Sequence, residues 1–303
     1  MRIATTQYHL TMSQALQNAQ AHVEHVMEQM ASGKRFLLPS DDPVANVRLS
    51  RMTREEAALD QYRDNIGALS TRLTQNETAL DSTVQDMLQV RDLLLWASDG
   101  TNNADDLNAM ASSLASLRDS LFFTANSKDQ EGRYLFSGTL SSTATITYDA
   151  AAAAGARYDF TGNTGTQQVA VGNGITQSAN VSLPEMEDLL NWLDSSVALL
   201  QDPAVDVNDP ATRANLVTSL TGLDTTLDAV NGKIAGLGGA QNILATLDNN
   251  HGNVSVSNQQ ALITLGKLDY GAAATELSGY STALEATQKA YSRVSGLSLF
   301  DVL

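Results

Sequence analysis

From Leu59 to Leu94 the chain repeats its seam residues at alternating steps of three and four without a break: Leu59, Tyr62, Ile66, Leu69, Leu73, Asn76, Leu80, Thr83, Met87, Val90 and Leu94. On an α-helix that spacing lays every one of them along a single narrow stripe, and only a partner helix of comparable length can bury it. Just upstream stands Ser40-Asp41-Asp42-Pro43, where an aspartate can cap free N–H groups and proline at the first helical position has none to satisfy. Gly100 is the first stop signal after the stripe. A helix over residues 43–98 would be about 80 Å long at about 1.5 Å per residue, more than the width of a compact domain. The spacing therefore predicts a rod.

The same pattern recurs at both ends of the chain. Met12, Leu16, Ala19, Val23, Val26 and Met30 form an N-terminal seam, and Leu277, Tyr280, Leu284, Thr287, Tyr291 and Val294 form a C-terminal one, continued by the apolar Leu297, Leu299 and Phe300. Among acids and bases other than histidine, residues 3–31 contain only Glu24 and Glu28. A helix so poor in charge reads as a surface meant to be covered.

Between the ends, Leu107, Met110, Leu114, Leu117 and Leu121 predict a helix over residues 104–127, closed by Gly132 and Gly138. Residues 139–181 change character: short alternating runs at 144–148, 157–161, 167–171 and 175–181, divided by glycine–asparagine turns, predict a small β insertion. Helix resumes at Ser182-Leu183-Pro184-Glu185, read as a capping box, and again at Asp209-Pro210. The next seam runs Leu216, Leu220, Leu223, Leu227, Val230, Ile234 and Leu237, with Gly236, Gly238 and Gly239 expected to bend or stop it. A polar stretch to about residue 259 separates it from the last helix.

The expected fold is mainly α: an elongated rod of long antiparallel, coiled-coil-like helices from both ends of the chain, with a small β insertion in the middle. Three parts are expected. Residues 1–40 with 265–303 make a terminal helical domain for assembly, 41–138 with 182–264 a helical rod, and 139–181 the inserted domain. A lone terminal helix with so narrow a stripe has little to bury, so each end is expected to order fully only when neighbours arrive.

Composition narrows the function. Lys plus Arg is 18 against 34 for Asp plus Glu, a net charge of −16, which opposes binding to nucleic acid or to anionic membrane surfaces. No apolar run approaches the roughly 18 to 20 residues that span a bilayer, and the N-terminal stretch lacks the apolar core of a cleaved signal peptide. There is no cysteine, hence no disulfide, thiolate nucleophile or cysteine metal site.

Candidate chemistry is thin. Ser32-Gly33-Lys34-Arg35 lacks the earlier glycine and the hydroxyl residue of a phosphate loop. His22 and His25 sit three apart beside Glu24 and Glu28 but lack the His-Glu-x-x-His pattern of a zinc helix. Adjacent carboxylates such as Asp105-Asp106 suit capping or solvation, and no Gly-x-Ser-x-Gly elbow exists. No catalytic residue, cofactor or metal is expected. Nine acidic residues between 185 and 228 stand against Arg213 alone, and Arg48, Arg51 and Arg54 could meet such a face within or between subunits.

Three motifs add a resemblance. SGKRFLLPSDDPVA at 32–45, EGRYLFSGT at 131–139 and LDYGAAATELSGYSTALEATQKAYSRVSGLSLFDVL at 268–303 resemble the flagellin family. The likeness is greater to its hook–filament junction branch than to filament flagellins, which carry an arginine-leucine-serine-serine-glycine run where this chain has residues 29–35 and lack an ending like Phe300-Asp301. The resemblance implies a non-catalytic extracellular subunit exported by the flagellar type III route with an export chaperone on its C-terminal helix. It also implies a homo-oligomeric helical ring contacting hook-associated protein 1 on one side and flagellin on the other. A filament flagellin, or a soluble helical adaptor, is the alternative reading.

Overall fold

The structure, a computed structural model, describes residues 2–295. In chain order its elements are α1 (Arg2–Ser32), α2 (Pro43–Ala97), α3 (Ala104–Ala125), β1 (Ile146–Tyr148), β2 (Tyr158–Phe160), β3 (Gln168–Gly172), β4 (Ile175–Ser178), α4 (Glu185–Leu200), α5 (Pro210–Gly266) and α6 (Tyr270–Ser295). The protein is mainly α with a small β insertion. Its contacts divide it into two units: Asp60–His251, and the residues up to Leu59 together with those from Gly252 onward.

In the unit Asp60–His251 the long stripe on α2 is core. Ile66, Leu69, Leu73, Leu80, Met87, Val90 and Leu94 are all buried. Burying a leucine contributes about 2 kcal/mol in transfer free energy, so a stripe of this length fixes the helix. The other helices supply matching rows: Leu107, Leu114 and Leu121 from α3, Leu189 and Leu193 from α4, and Leu216, Leu223, Val230, Leu237 and Leu244 from α5, in one continuous cluster. α3 starts on a capping box, Asn103 Oδ1 accepting the Asp106 N–H at 3.0 Å and the Asp106 carboxylate accepting the Asn103 N–H at 3.2 Å.

Three local expectations are corrected. Ser182 does not cap α4: it pairs with Ser137 in an isolated bridge, Pro184 stands at the cap without a side-chain bond, and Glu185 instead meets Lys233. Gly236, Gly238 and Gly239 do not stop α5, which is one helix from Pro210 to Gly266. Each glycine costs a helix about 1 kcal/mol, a cost that the buried Val230, Leu237, Ala240 and Leu244 around them outweigh. The polar stretch before residue 259 belongs to the same helix.

The four predicted strands exist as two antiparallel hairpins, β1 with β2 in register Ile146↔Phe160, and β3 with β4, irregular between Ala170 and Gly172. Both lie on the helical core, to which they contribute Ile146, Tyr158, Val171 and Ala179. Helix side chains stand in for missing strand neighbours. The Asn126 amide bonds the N–H and C=O of Ile146 at 3.1 and 3.0 Å, and the Asn191 amide does the same for Tyr158 at 3.0 and 2.8 Å.

Asp194, 1% exposed on α4, ties the first hairpin down. It accepts from Arg118 at 2.7 Å, from Arg157 at 3.4 Å and from the Gly155 N–H at 3.0 Å. Burial pushes the neighbouring Tyr158 phenol up to about 12. Gly138, in the EGRYLFSGT run, has φ +71°, and a Cβ there would lie 2.0 Å from the Asn163 carbonyl oxygen. Only glycine fits.

Candidate functional site

The second unit holds the two end helices, and α1 packs along α6. The predicted N-terminal seam is the stripe that makes this contact possible: Val26 is buried and Met12, Leu16, Ala19, Val23 and Met30 are half-buried, while the positions between them are mostly exposed. Leu277, Tyr280, Leu284 and Tyr291 form the matching half-buried stripe of α6. Leu297, Leu299 and Phe300 lie outside the described residues, as does the side chain of Val294. The seams thus meet each other within one chain, around a small core of Val26, Leu268 and Ala273 with Met30, Leu277 and Tyr280 against it.

Two histidines weighed above for metal binding serve this pairing or its surroundings. His22 stacks on Tyr280 with ring centroids 5.1 Å apart, and His25 Nε2 lies 4.0 Å from Asp41 Oδ2. Farther along, His9 meets the edge of Tyr291 at 5.6 Å. No group of three His, Cys, Asp or Glu able to hold a metal occurs among the described residues.

The segments after α1 and after α5 close the pair. Gly33, with φ +67°, turns the chain out of α1. Lys34 and Lys267 then pair as an antiparallel bridge, with the Arg35 N–H donating to the Gly266 carbonyl at 2.9 Å and the Leu268 N–H to the Gly33 carbonyl at 3.0 Å. Tyr270 Oη donates to the Met30 carbonyl at 3.2 Å. Sequence reasoning missed Tyr270, whose partner is 240 residues away in the chain.

Within the start motif the two aspartates have separate tasks. Asp42 Oδ1 accepts from the Val44 and Ala45 N–H groups at 3.1 and 2.9 Å and caps α2, with Pro43 at the first helical position. Asp41 folds the loop back on itself, accepting from the Leu37 and Leu38 N–H groups at 2.9 Å each. Those bonds, Leu38 first and then Leu37, hold its carboxyl below the usual carboxylate range. Ser40 is exposed.

The faces of this unit turned away from its small core carry exposed apolar side chains. They include Leu10 and Met27 on α1, Leu38 in the loop, Val44 and Val47 on α2, and Val256 and Ile263 on α5. Val256 and Ile263 stand seven residues apart, one coiled-coil period, inside the stretch that looked merely polar. Such surfaces mark contact with other macromolecules rather than chemistry on a small substrate.

Known proteins resemble this chain in sequence and fold. Residues 3–141 match the bacterial flagellin N-terminal helical region. The chain is 28% identical to flagellar hook-associated protein 3 of Escherichia coli (strain K12), over 100% of this chain and 99% of that protein. A solved candidate flagellar hook-associated protein from Vibrio parahaemolyticus is 32% identical, with a TM-score of 0.67 over 74% of this chain and 99% of that one.

The chain belongs to the flagellin family. Within the family its likeness runs end to end with hook-associated protein 3, whereas flagellin A of Vibrio cholerae matches 43% of this chain and 34% of its own length, at 26% identity. The flagellin-family region at residues 3–141 takes in α1, α2 and α3 together with the start motif at 40–43. No described helix is long and apolar enough to cross a membrane.

Proposed function

We propose that this protein is a non-catalytic structural subunit of the bacterial flagellum that joins the hook to the filament. The observation that carries the reading is the α1–α6 pair. Its seams are only half-buried within one chain, and the surrounding unit leaves Leu10, Met27, Val44 and Val256 exposed. A pair with so small a core gains most of its remaining apolar burial from neighbours. Likeness to proteins named for the hook, end to end in the case of hook-associated protein 3 of Escherichia coli, supports the choice of structure.

In this reading the terminal segments, residues 1–40 and 265–303, are the assembly domain, and their seams close first on each other and then against adjacent subunits in a helical ring. Residues 41–138 and 182–264 form the supporting helices, and 139–181 the insertion. Hook-associated protein 1 binds on the hook side and flagellin on the filament side. The chain is exported unfolded through the flagellar type III route, with a chaperone on its last helix, and works outside the cell.

The test is deletion of the gene, with imaging of the cell surface and assay of the medium. Hooks without filaments, and monomeric flagellin shed outside, are expected. Normal filaments would refute the junction role, and loss of flagellin itself would make the chain the filament subunit.

A further inference from the structure

Two exposed helical faces of the unit containing the chain ends are complementary in charge and alike in apolar content. On α1, Glu24, Met27, Glu28 and Ala31 fall within about a third of the helix circumference at about 3.6 residues per turn. All four are exposed, Met27 by 54%. On α2, Val44, Val47, Arg48, Arg51 and Arg54 occupy a similar arc, with Val44 and Val47 exposed by 65% and 67%. Glu55 then begins the acidic part of that helix.

These charges are not spent on one another or on the rest of the described residues. Among the described residues no ion pair includes Glu24, Glu28, Arg48, Arg51 or Arg54. Glu24 accepts only a long bond from the Gln20 amide at 3.4 Å, and Arg54 donates to its own helix, at the Ser50 carbonyl. The acidic run at 185–228 is a poorer partner for these arginines. Asp194 is held by Arg118 and Arg157, Glu185 by Lys233 and Asp224 by Arg91, while Glu187 accepts the Phe160 N–H.

We infer that the α2 face of one copy, centred on Val47 and ringed by Arg48 and Arg51, docks on the α1 face of a second copy, centred on Met27 and ringed by Glu24 and Glu28. The inference rests on the assembly reading above and names the surface through which copies meet. Joining two different faces makes the contact heterologous, so each copy keeps one face of each kind free and the contact propagates, closing a ring or extending a helix. An exposed ion pair contributes little by itself, so burial of Met27, Val44 and Val47 supplies the attraction while the four charges fix register and exclude like-charged pairings. Beside the acidic face runs a shallow groove lined by His25, Glu28, Ala31, Leu37 and Leu38, into which the rim of a partner helix can settle.

The chain has no cysteine, so disulfide trapping is clean. The full-length M27C/V47C double variant, expressed in place of the natural chain, is collected from isolated hook–filament structures, oxidised and run without reductant. A ladder of linked multimers is expected, absent from either single variant. In parallel, R48E/R51E and E24R/E28R should each cut the amount incorporated by about tenfold, while one chain carrying all four changes regains it, because the charges match again. Normal incorporation of the double cysteine variant without a ladder, together with neutral charge reversals, would overturn this interface and leave the flagellar reading intact. Absence of the natural chain from those structures would overturn both.

Discussion

Tyr280 of α6 lies flat against His22 of α1, their ring planes 12° from parallel and their centroids 5.1 Å apart. The contact sits at the edge of the small core made by Val26, Leu268 and Ala273, and it joins residues from opposite ends of the chain. In a unit with so few buried side chains, one aromatic pair is a large share of what holds the end helices together.

Replacing Tyr280 by alanine should therefore cost about 1–2 kcal/mol of pairing between α1 and α6. Amide exchange along residues 9–30 is the measurement: protection should fall in the alanine variant and persist in Tyr280→Phe, which keeps the ring.

Asp41 predicts a pH dependence. Its folded carboxyl is held below its ordinary value of 3.8 by the Leu38 and Leu37 N–H groups, so it stabilises the loop fully above that value. The contribution is lost as the pH falls below 3.8 through the lower folded value. Followed by NMR between pH 6 and about 2, the Leu37 and Leu38 amides should shift together at the acid end, and Asp41→Ala should abolish the transition.

Asp194 is vulnerable to mutation because it is a buried charge, 1% exposed, that depends on its cationic partners. Asp194→Ala leaves Arg118 and Arg157 facing each other without their shared carboxylate, and removing one partner of a buried pair costs about 3–5 kcal/mol. Urea unfolding followed by the fluorescence of Trp192, two residues away, should show a much lower midpoint.

Asn76 should behave in the opposite sense. It occupies a seam position of α2, is fully buried, and neither Nδ2 nor Oδ1 has a hydrogen-bond partner. Asn76→Leu removes two unsatisfied polar atoms and adds apolar contact with the surrounding row, raising stability by about 1–2 kcal/mol. A lower denaturant midpoint would show that the amide makes a bond worth keeping.

The seams were legible in the residue order because helix geometry converts a spacing of three and four into a face, whatever surrounds it. The starts at Asp42-Pro43 and Asp209-Pro210, read from capping chemistry, and all four strands, read from alternation between turns, fell close to their observed places. Punctuation by glycine was misleading. Gly236, Gly238 and Gly239 weaken a helix only by about 1 kcal/mol each, and that local preference yields to the buried row on α5.

What the sequence determined by itself was periodicity, charge and the absence of cysteine, hence a mainly helical chain, with three motifs that resemble the flagellin family. Tertiary structure alone decided which seam meets which: that Val26 faces Leu268 and Ala273, that Asp194 gathers Arg118 and Arg157, and that Glu24, Glu28, Arg48 and Arg51 form no ion pair among the described residues. The reason is physical. A stripe states how much a helix must bury but not against what, and that choice is made by packing between residues hundreds of positions apart.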